Sequence, residues 1–259
     1  MRILATNDDG IFSEGLRELA EALAPLGQVV VVAPDREQSA TGHSLTLDRP
    51  LRMRKVREHW YAVDGTPTDC VNLAVHGLLK EAPPDLVVSG INFGGNLGDD
   101  VTYSGTVSAA FEANLHQLPA VAFSQEIAEG FSFAAAAAFA HELIAELIDC
   151  RFPTDLLLNV NLPAAPIQGV RFTHLGRRHY RQTVIEKLDP KGRKYFWIAG
   201  TPEWENAPGT DHEAISKGYV SVTPLHLDLT DYRGLEAGGE LHRRLSQLGA
   251  RPRGETDGG

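Results

Sequence analysis

The chain has 259 residues, of which 42% are hydrophobic and 22% charged, and its formal net charge is −10. This composition is typical of a globular protein with a sizeable core, and it argues against wholesale disorder and fibrous repeats. The acidic balance disfavours sequence-independent binding to a nucleic-acid polymer, which requires a concentrated field of Lys and Arg. The most apolar segment, Phe131 to Ile148, is interrupted by Glu142 and Glu146, so the sequence predicts no membrane span there.

The N-terminus and the cysteines indicate the compartment. Met1 leads directly into a strand-like run, without the basic and apolar regions of a secretory signal, and this predicts a cytoplasmic protein. Cys70 and Cys150 are far apart in sequence and fall in predicted helices, where we expect two reduced structural thiols. The segment Gly254 to Gly259 is rich in Gly and is expected to be disordered.

Hydrophobic periodicity predicts strands that alternate with helices. A strand at Arg2 to Thr6, a helix from Glu14 to Leu26 and a strand at Gln28 to Ala33 form the first βαβ unit. The alternation continues with a helix after Thr68, a strand at Leu86 to Ser89, a helix from about Thr106, a strand at Ala120 to Phe123, a long helix from Phe131 and a strand at Leu156 to Val160. The pattern predicts an α/β, Rossmann-like fold, with a mostly parallel sheet, helices on both faces and right-handed crossovers.

Two segments depart from this alternation. Leu45 to Val63 is typical of a small antiparallel insertion beside the sheet. After Pro163, strand-like runs at Val170 to His174, Tyr180 to Lys187 and Tyr195 to Ile198, with a turn at Asp189 to Gly192, predict a long hairpin. We therefore expect a Rossmann-like core at residues 1–163 and, at residues 164–259, a C-terminal hairpin and helix extension that completes the core. Because a protruding hairpin has two faces to cover, its use in oligomerisation follows as a hypothesis.

Polar loops follow three predicted strands, at the sheet edge where doubly wound folds bind ligands. The first loop, Asn7 to Gly10, carries the adjacent carboxylates Asp8 and Asp9 where a dinucleotide-binding fold has its G-x-G-x-x-G turn. Two neighbouring carboxylates would repel a phosphate unless a cation lies between them. A bound metal accounts for the pair, and so does an Asx-turn or helix cap before Glu14.

The other two loops and the helix that follows them add oxygen ligands and a phosphate seat. Ser39, in the second loop, is either a ligand or a helix N-cap. The Gly-rich third loop offers the amide oxygens of Asn92 and Asn96 as neutral hard ligands. Ser104-Gly105-Thr106 opens a helix whose free N–H groups and dipole suit a phosphate, although Ser and Thr are also common N-caps.

The polar loops belong to a longer series of motifs along the chain. Neither a P-loop nor the D-x-D spacing of haloacid-dehalogenase-type phosphatases occurs among them. The motifs are Thr6-Asn7-Asp8-Asp9-Gly10, Ala33-Pro34-Asp35, Ser39 to Ser44, Gly65-Thr66-Pro67, Ser89-Gly90-Ile91-Asn92, Asn96, Tyr103 to Ser108, Leu175-Gly176-Arg177 and Gly218 to Leu225. Taken together, they resemble the survival protein E (SurE) family of 5′-nucleotidases.

The resemblance implies a function, a metal site and an assembly. It implies hydrolysis of nucleoside 5′-monophosphates and one Mg²⁺ or Mn²⁺ per subunit, held by Asp8, Asp9, Ser39 and Asn92. It also implies homodimers or homotetramers that exchange C-terminal elements. An all-oxygen ligand set agrees with these hard cations, since zinc prefers His or Cys.

From the residues themselves we expect Asn96, Ser104, Gly105 and Thr106 to bind the phosphate. Asp8 or Asp9 is expected to accept a proton from the attacking water. His43 is a residue that supports the metal ligands, an acid, or incidental. Two alternatives stay open. The chain could be a non-catalytic nucleotide-binding module, or a phosphatase that acts on polyphosphate or other phosphomonoesters.

Overall fold

The computed structural model describes residues 1–164, 166–181, 184–198, 201–236, 238–246 and 248. Residue contacts divide the chain into two units, Met1–His226 and Leu227–Gly259. The described part of the second unit contains two short helices, Tyr232–Glu236 and Gly239–Ser246. The terminal segment expected to be disordered lies outside the described residues. No helix in the described ranges combines the length and the apolar character that a bilayer span requires.

The first unit is built on a central sheet with an added hairpin. Its strands are β1 (Arg2–Thr6), β2 (Gln28–Pro34), β3 (Met53–Arg57), β4 (Trp60–Val63), β5 (Leu86–Phe93), β6 (Ala120–Gln125), β7 (Leu157–Leu162), β8 (Val170–Phe172), β9 (Arg178–Arg181), β10 (Val184–Leu188), β11 (Lys194–Ile198), β12 (Thr201–Trp204) and β13 (Val220–Pro224). The order in the central sheet is β3-β4-β2-β1-β5-β6-β7-β13-β8.

Most neighbouring strands in this sheet are parallel, which confirms the predicted α/β fold. β1 pairs in parallel with β2 on one side and with β5 on the other. Antiparallel pairs join β3 to β4 and β13 to β7. The expected antiparallel insertion is therefore the hairpin β3–β4, and β4 extends the main sheet because it pairs in parallel with β2. The chain leaves β1 in one direction and returns to β5 on its other side, which makes the gap between β1 and β5 the switch point where such folds bind ligands.

Helices cover both faces of the sheet. They are α1 (Glu14–Leu23), α2 (Pro67–Leu73), α3 (Gly105–Leu115), α4 (Ala134–Asp149) and α5 (Asp211–Ser216). α1 packs against α4, and their buried Leu, Ala and Ile side chains form one core with one face of the strands. α2 packs against α3 on the other face. The predicted first helix extended to Leu26, but the α-helix ends at Leu23 because Pro25 lacks the N–H that would continue it, and Ala24–Leu26 form a tighter turn.

The crossovers do not share one hand. α3 joins β5 to β6 and α4 joins β6 to β7, so both connections step in the same direction across the sheet. The two helices lie on opposite faces, and the two crossovers therefore have opposite hands. The connection from β1 through α1 to β2 runs in the opposite direction across the sheet, and α1 lies on the same face as α4. This connection therefore has the same hand as the connection through α3. The expectation of uniformly right-handed crossovers is therefore wrong for the unit β6–α4–β7.

The predicted long hairpin is present in the described residues. β9 pairs with β12 and β10 with β11, and the turn is closed by a hydrogen bond from Gly192 N–H to Asp189 O at 2.9 Å. The predicted strand Tyr180 to Lys187 is divided between β9 and β10, and residues 182 and 183 lie outside the described residues. The hairpin exposes large apolar side chains, among them Phe196, Trp197 and Ile198.

Candidate active site

The polar loops meet at the carboxyl ends of β1, β2 and β5, around the switch point. Asp8 and Asp9 directly follow β1, and Asn92 lies near the end of β5. The loop after β2 is fixed to the first loop by a backbone hydrogen bond from Gln38 N–H to Asp8 O at 2.7 Å. Gly42 N–H donates to Tyr103 O at 3.1 Å, which fixes the same loop next to the start of α3. The structure thus gathers the three sequence-predicted loops at one edge of the sheet.

Asp8 is held by the N-terminus of α3. Its side chain is buried, and its carboxylate accepts hydrogen bonds from both the hydroxyl and the backbone N–H of Thr106. The positive end of the helix dipole favours a carboxylate at this position. A Cβ on Gly105 would lie 2.7 Å from the Cβ of Asp8, so only glycine lets the helix approach Asp8 this closely. The local sequence Gly105-Thr106 therefore positions the first carboxylate.

Asp8 and Asp9 carry a like charge in a poorly solvated place. Burial raises the pKa of Asp8 above its ordinary value of 3.8, although the two hydrogen bonds from Thr106 act in the opposite direction. Burial, and then repulsion from Asp8 and Glu37, raises the pKa of Asp9 to about 6. The arrangement is unfavourable for two anions on their own and favourable once a cation lies between them.

The neighbouring side chains have oxygens that suit such a cation. Asn92 Nδ2 donates to Gly94 O at 2.8 Å, which leaves the amide oxygen as its available ligand atom. Ser39 Oγ donates to Glu37 Oε1 at 2.6 Å and keeps its lone pairs for a second partner. In the described part of the chain no three His, Cys, Asp or Glu side chains form a metal cluster. The predicted ligand set needs no such cluster, because a hydroxyl and an amide complete the two carboxylates.

The raised pKa of Asp9 predicts that the folding stability of the metal-free protein depends on pH. The pKa is about 6 in the fold and 3.8 ordinarily, so folding stability falls as the pH rises through this interval. In EDTA at pH 8 we expect Asp9→Asn to melt about 2–4 °C higher than wild type, which corresponds to roughly 1 kcal/mol after allowance for partial solvent exposure. The difference should shrink towards pH 4, and Mn²⁺ should raise the melting temperature of wild type but not of the variant.

Thermal melting of both proteins with the control Asp149→Asn checks this expectation. Asp149 ends α4 and is exposed. An Asp9→Asn variant that melts at or below the wild-type temperature at pH 8 would contradict the electrostatic account of the carboxylate pair.

Asn96 is fixed by two buried asparagines of β7. Its backbone N–H donates to Asn161 Oδ1 at 2.8 Å, and its carbonyl accepts from Asn159 Nδ2 at 2.8 Å and Asn161 Nδ2 at 3.1 Å. Its own side-chain Nδ2 donates to Ser124 Oγ, on β6, at 2.7 Å. A contact between Asn96 and phosphate stays a prediction.

The start of α3 contains the other predicted phosphate ligands. Ser104 is the N-cap, and its Oγ accepts from Val107 N–H at 3.1 Å. Thr106 uses both its hydroxyl and its N–H on Asp8. Of the predicted phosphate ligands at this helix start, Ser104 and Gly105 are therefore the ones left to bind a phosphate. They lie next to Asp8, which Thr106 holds.

Three features of the site were missed or left unresolved from the sequence. Glu37 lies close enough to Asp9 to raise its pKa, and the position of a carboxylate two residues before Ser39 was the available signal. Asn159 and Asn161, on the same face of an otherwise apolar strand, were a second signal, because a strand buries an amide only when the amide has partners. His43, whose role the sequence left open, contacts Glu112 on α3.

Comparison with known proteins identifies the family. The family model described as survival protein SurE matches residues 3–182. The chain is 56% identical to a protein of Geotalea daltonii named 5′-nucleotidase SurE, over 91% of this chain and 96% of that protein. It is 54% identical to the protein of the same name from Geobacter sulfurreducens, over 91% of each.

A solved structure agrees with these sequence relatives. The crystal structure of the SurE protein from Aquifex aeolicus is similar to this fold, with a TM-score of 0.83 and 46% sequence identity. The match covers 93% of this chain and 100% of the Aquifex chain. The two relatives and the solved structure match over at least 91% of each chain. The family-model match includes the loops that carry Asp8, Asp9, Ser39 and Asn92. On this evidence the chain belongs to the SurE family.

Proposed function

We propose that this chain is a divalent-metal-dependent 5′-nucleotidase, which hydrolyses nucleoside 5′-monophosphates to nucleoside and phosphate. The observation that carries the proposal is the pair Asp8 and Asp9 at the switch point, crowded by Glu37 and placed beside the N-terminus of a helix. A pair of ionised carboxylates next to a bound phosphate is unfavourable without a cation between them. The names of the relatives from Geotalea and Geobacter support the same activity.

The residues fit one Mg²⁺ or Mn²⁺ per subunit. We propose Asp8, Asp9, Ser39 and Asn92 as the ligands, because the set offers carboxylate, hydroxyl and amide oxygens and no sulfur or imidazole. The chemistry supplied by such an ion is neutralisation of charge on the phosphoryl group and activation of a water molecule.

The chain itself would position the phosphate and handle the proton. Ser104, Gly105 and Asn96 are proposed to bind phosphate oxygens, which would lower the barrier by orientation and electrostatics. Thr106, also predicted as a phosphate ligand, is proposed to support the seat by holding Asp8. Both donors of Thr106 hold Asp8 in place, whereas Asp9 is half-buried and accepts the backbone N–H of Phe93. Asp9 is therefore the better placed of the two to accept a proton from the attacking water.

A non-catalytic nucleotide-binding module explains the site less well. Such a module binds the phosphates through a glycine-rich turn, and this chain has two adjacent aspartates at the corresponding position. Other phosphomonoesters and polyphosphate are proposed as further substrates, because the same phosphate seat would accept them.

Phosphate release from a panel of nucleoside 5′- and 3′-monophosphates tests the proposal. The assay is run with Mn²⁺, with Mg²⁺ and with EDTA, and polyphosphate is included as a separate substrate. We expect release that depends on the metal and favours the 5′-monophosphates. Absence of release with either metal would refute the nucleotidase, and equal rates in EDTA would refute its metal dependence.

Assembly and location complete the proposal. The exposed Phe196, Trp197 and Ile198 of the hairpin support packing on a second copy, in a homodimer or homotetramer with exchanged C-terminal elements. The molar mass of the purified protein by light scattering tests this assembly. We also propose a cytoplasmic location, which cell fractionation tests.

A further inference from the structure

One buried carboxylate lies outside the chemistry described above. The side chain of Glu112, on α3, is 7% exposed. Its Oε2 accepts from His43 Nε2 at 2.6 Å, and its Oε1 accepts from Asn72 Nδ2 at 2.5 Å and lies 3.2 Å from His116 Nε2. A buried carboxylate with several donors is costly to leave unpaired, so these contacts need a structural or functional reason.

The network keeps Glu112 charged. Burial acts to raise the pKa of Glu112, but the hydrogen bonds from His43 and Asn72, together with electrostatic attraction from His43 and His116, hold the pKa below its ordinary value. An ionised carboxylate only accepts hydrogen bonds, so the Nε2 of His43 carries the proton and donates it. The ring of His43 also contacts Phe111 edge-on, with the ring centroids 6.0 Å apart. His43 is therefore fixed on α3 by both a polar and an aromatic contact.

His43 belongs to the same loop as the proposed ligand Ser39. The loop is attached before Ser39 by Gln38 N–H to Asp8 O at 2.7 Å, and after it by Gly42 N–H to Tyr103 O at 3.1 Å. The hydrogen bond between His43 and Glu112 is a third attachment, made by the side chain that directly follows Gly42. Between the first two attachments Ala40 has a φ of 56°, which an L-residue keeps only when its surroundings impose it.

The same helix thus holds two parts of the proposed ligand set. Thr106, in the first turn of α3, binds Asp8, while Glu112 binds the Ser39 loop through His43. Thr106 and Glu112 are six residues apart, which is about 9 Å along the axis of α3. The helix would therefore hold the Ser39 loop at a fixed distance from the two aspartates.

We infer that Glu112 and His43 are positioning residues that place Ser39 against Asp8 and Asp9 and thereby set the affinity for the divalent cation. The inference rests on the proposed metal site and adds residues that lie outside it. Partners that orient a ligand typically change metal affinity by 10–100-fold when they are removed.

Mn²⁺ binding to the full chain, without substrate, tests this inference. The free ion is followed by electron paramagnetic resonance during titration of wild type, His43→Leu and His43→Gln. We expect the Kd to rise about tenfold in His43→Leu. Gln keeps an N–H donor for Glu112, so the Kd of His43→Gln should stay within roughly threefold of wild type.

His141→Leu provides a matched control. His141 lies on α4, on the opposite face of the sheet, and its Nδ1 is 2.8 Å from Ala22 O, so the substitution also removes one imidazole contact. The Kd for Mn²⁺ should be unchanged in this variant, and melting curves in EDTA show whether each protein is folded.

The outcomes separate the inference from the function on which it rests. If His43→Leu binds Mn²⁺ as tightly as wild type, or if His141→Leu weakens binding as much, the positioning role is overturned while the metal site stands. If wild type binds no Mn²⁺, or if Asp9→Asn binds it as well as wild type, the proposed metal site is overturned, and the inference with it.

Discussion

Replacing Asp9 with Asn should lower kcat/KM for a nucleoside 5′-monophosphate by at least about a hundredfold, because the proposed site would lose both a metal ligand and a proton acceptor. Asn has the same shape as Asp, so the change removes charge and leaves the packing of the loop intact. The effect should persist at saturating Mn²⁺, since an amide at this position neither balances the charge of the ion nor accepts a proton. Phosphate release over a range of Mn²⁺ concentrations measures it.

Asp149→Asn is the control for this experiment. It removes one carboxylate from an exposed helix end and should keep wild-type kinetics. An Asp9→Asn variant with more than a tenth of the wild-type kcat/KM would contradict the central role given to the carboxylate pair. A loss in both variants would indicate an effect of net charge and not of the site.

Gly105→Ala should displace Asp8 and lower activity by about ten- to a hundredfold. The added Cβ would lie 2.7 Å from the Asp8 Cβ and 2.9 Å from its Oδ2, so the buried Asp8 would have to shift and its bonds to Thr106 would be disturbed. A displacement of about 1 Å in a catalytic group can cost a factor of a hundred in rate. Overpacking should also lower the free energy of unfolding by about 1–3 kcal/mol.

Gly77→Ala is the matched change elsewhere in the chain. A Cβ at Gly77 would meet nothing within 4 Å, and the residue lies in a helical segment after α2. This variant should keep wild-type activity and gain roughly 0.5–1 kcal/mol, because Ala restricts the unfolded chain more than Gly. If Gly105→Ala kept full activity and stability, the close approach of α3 to Asp8 would not matter for the site. Steady-state kinetics and thermal melting of the two variants decide between these results.

Local pattern was sufficient to predict the sheet and the loops that carry the site. The apolar runs at β1, β2 and β5 are buried on both faces, and each is followed by polar residues that a parallel sheet brings to one edge. The positions of Asp8, Asp9 and Asn92 at that edge follow from chain order alone. Their use as metal ligands stays a prediction, which the resemblance to the SurE family implies.

Long-range contacts were beyond the reach of local pattern. The bond between His43 and Glu112 joins residues far apart in sequence, and neither residue has a spacing that marks it. The opposite hand of the unit β6–α4–β7 depends on which face α4 selects, and the mostly apolar surface of this helix suits either face. Glu37 is another such residue, because only the folded loop brings its carboxylate close enough to raise the pKa of Asp9.

Anomalous diffraction at the manganese edge, from crystals grown with Mn²⁺ and inorganic phosphate, is the most direct test of the proposed site. The account predicts one strong peak per subunit, within ligand distance of Asp8, Asp9, the hydroxyl of Ser39 and the amide oxygen of Asn92, with the phosphate next to the N-terminus of α3. A peak bound elsewhere, or no peak beside the two aspartates, would contradict it.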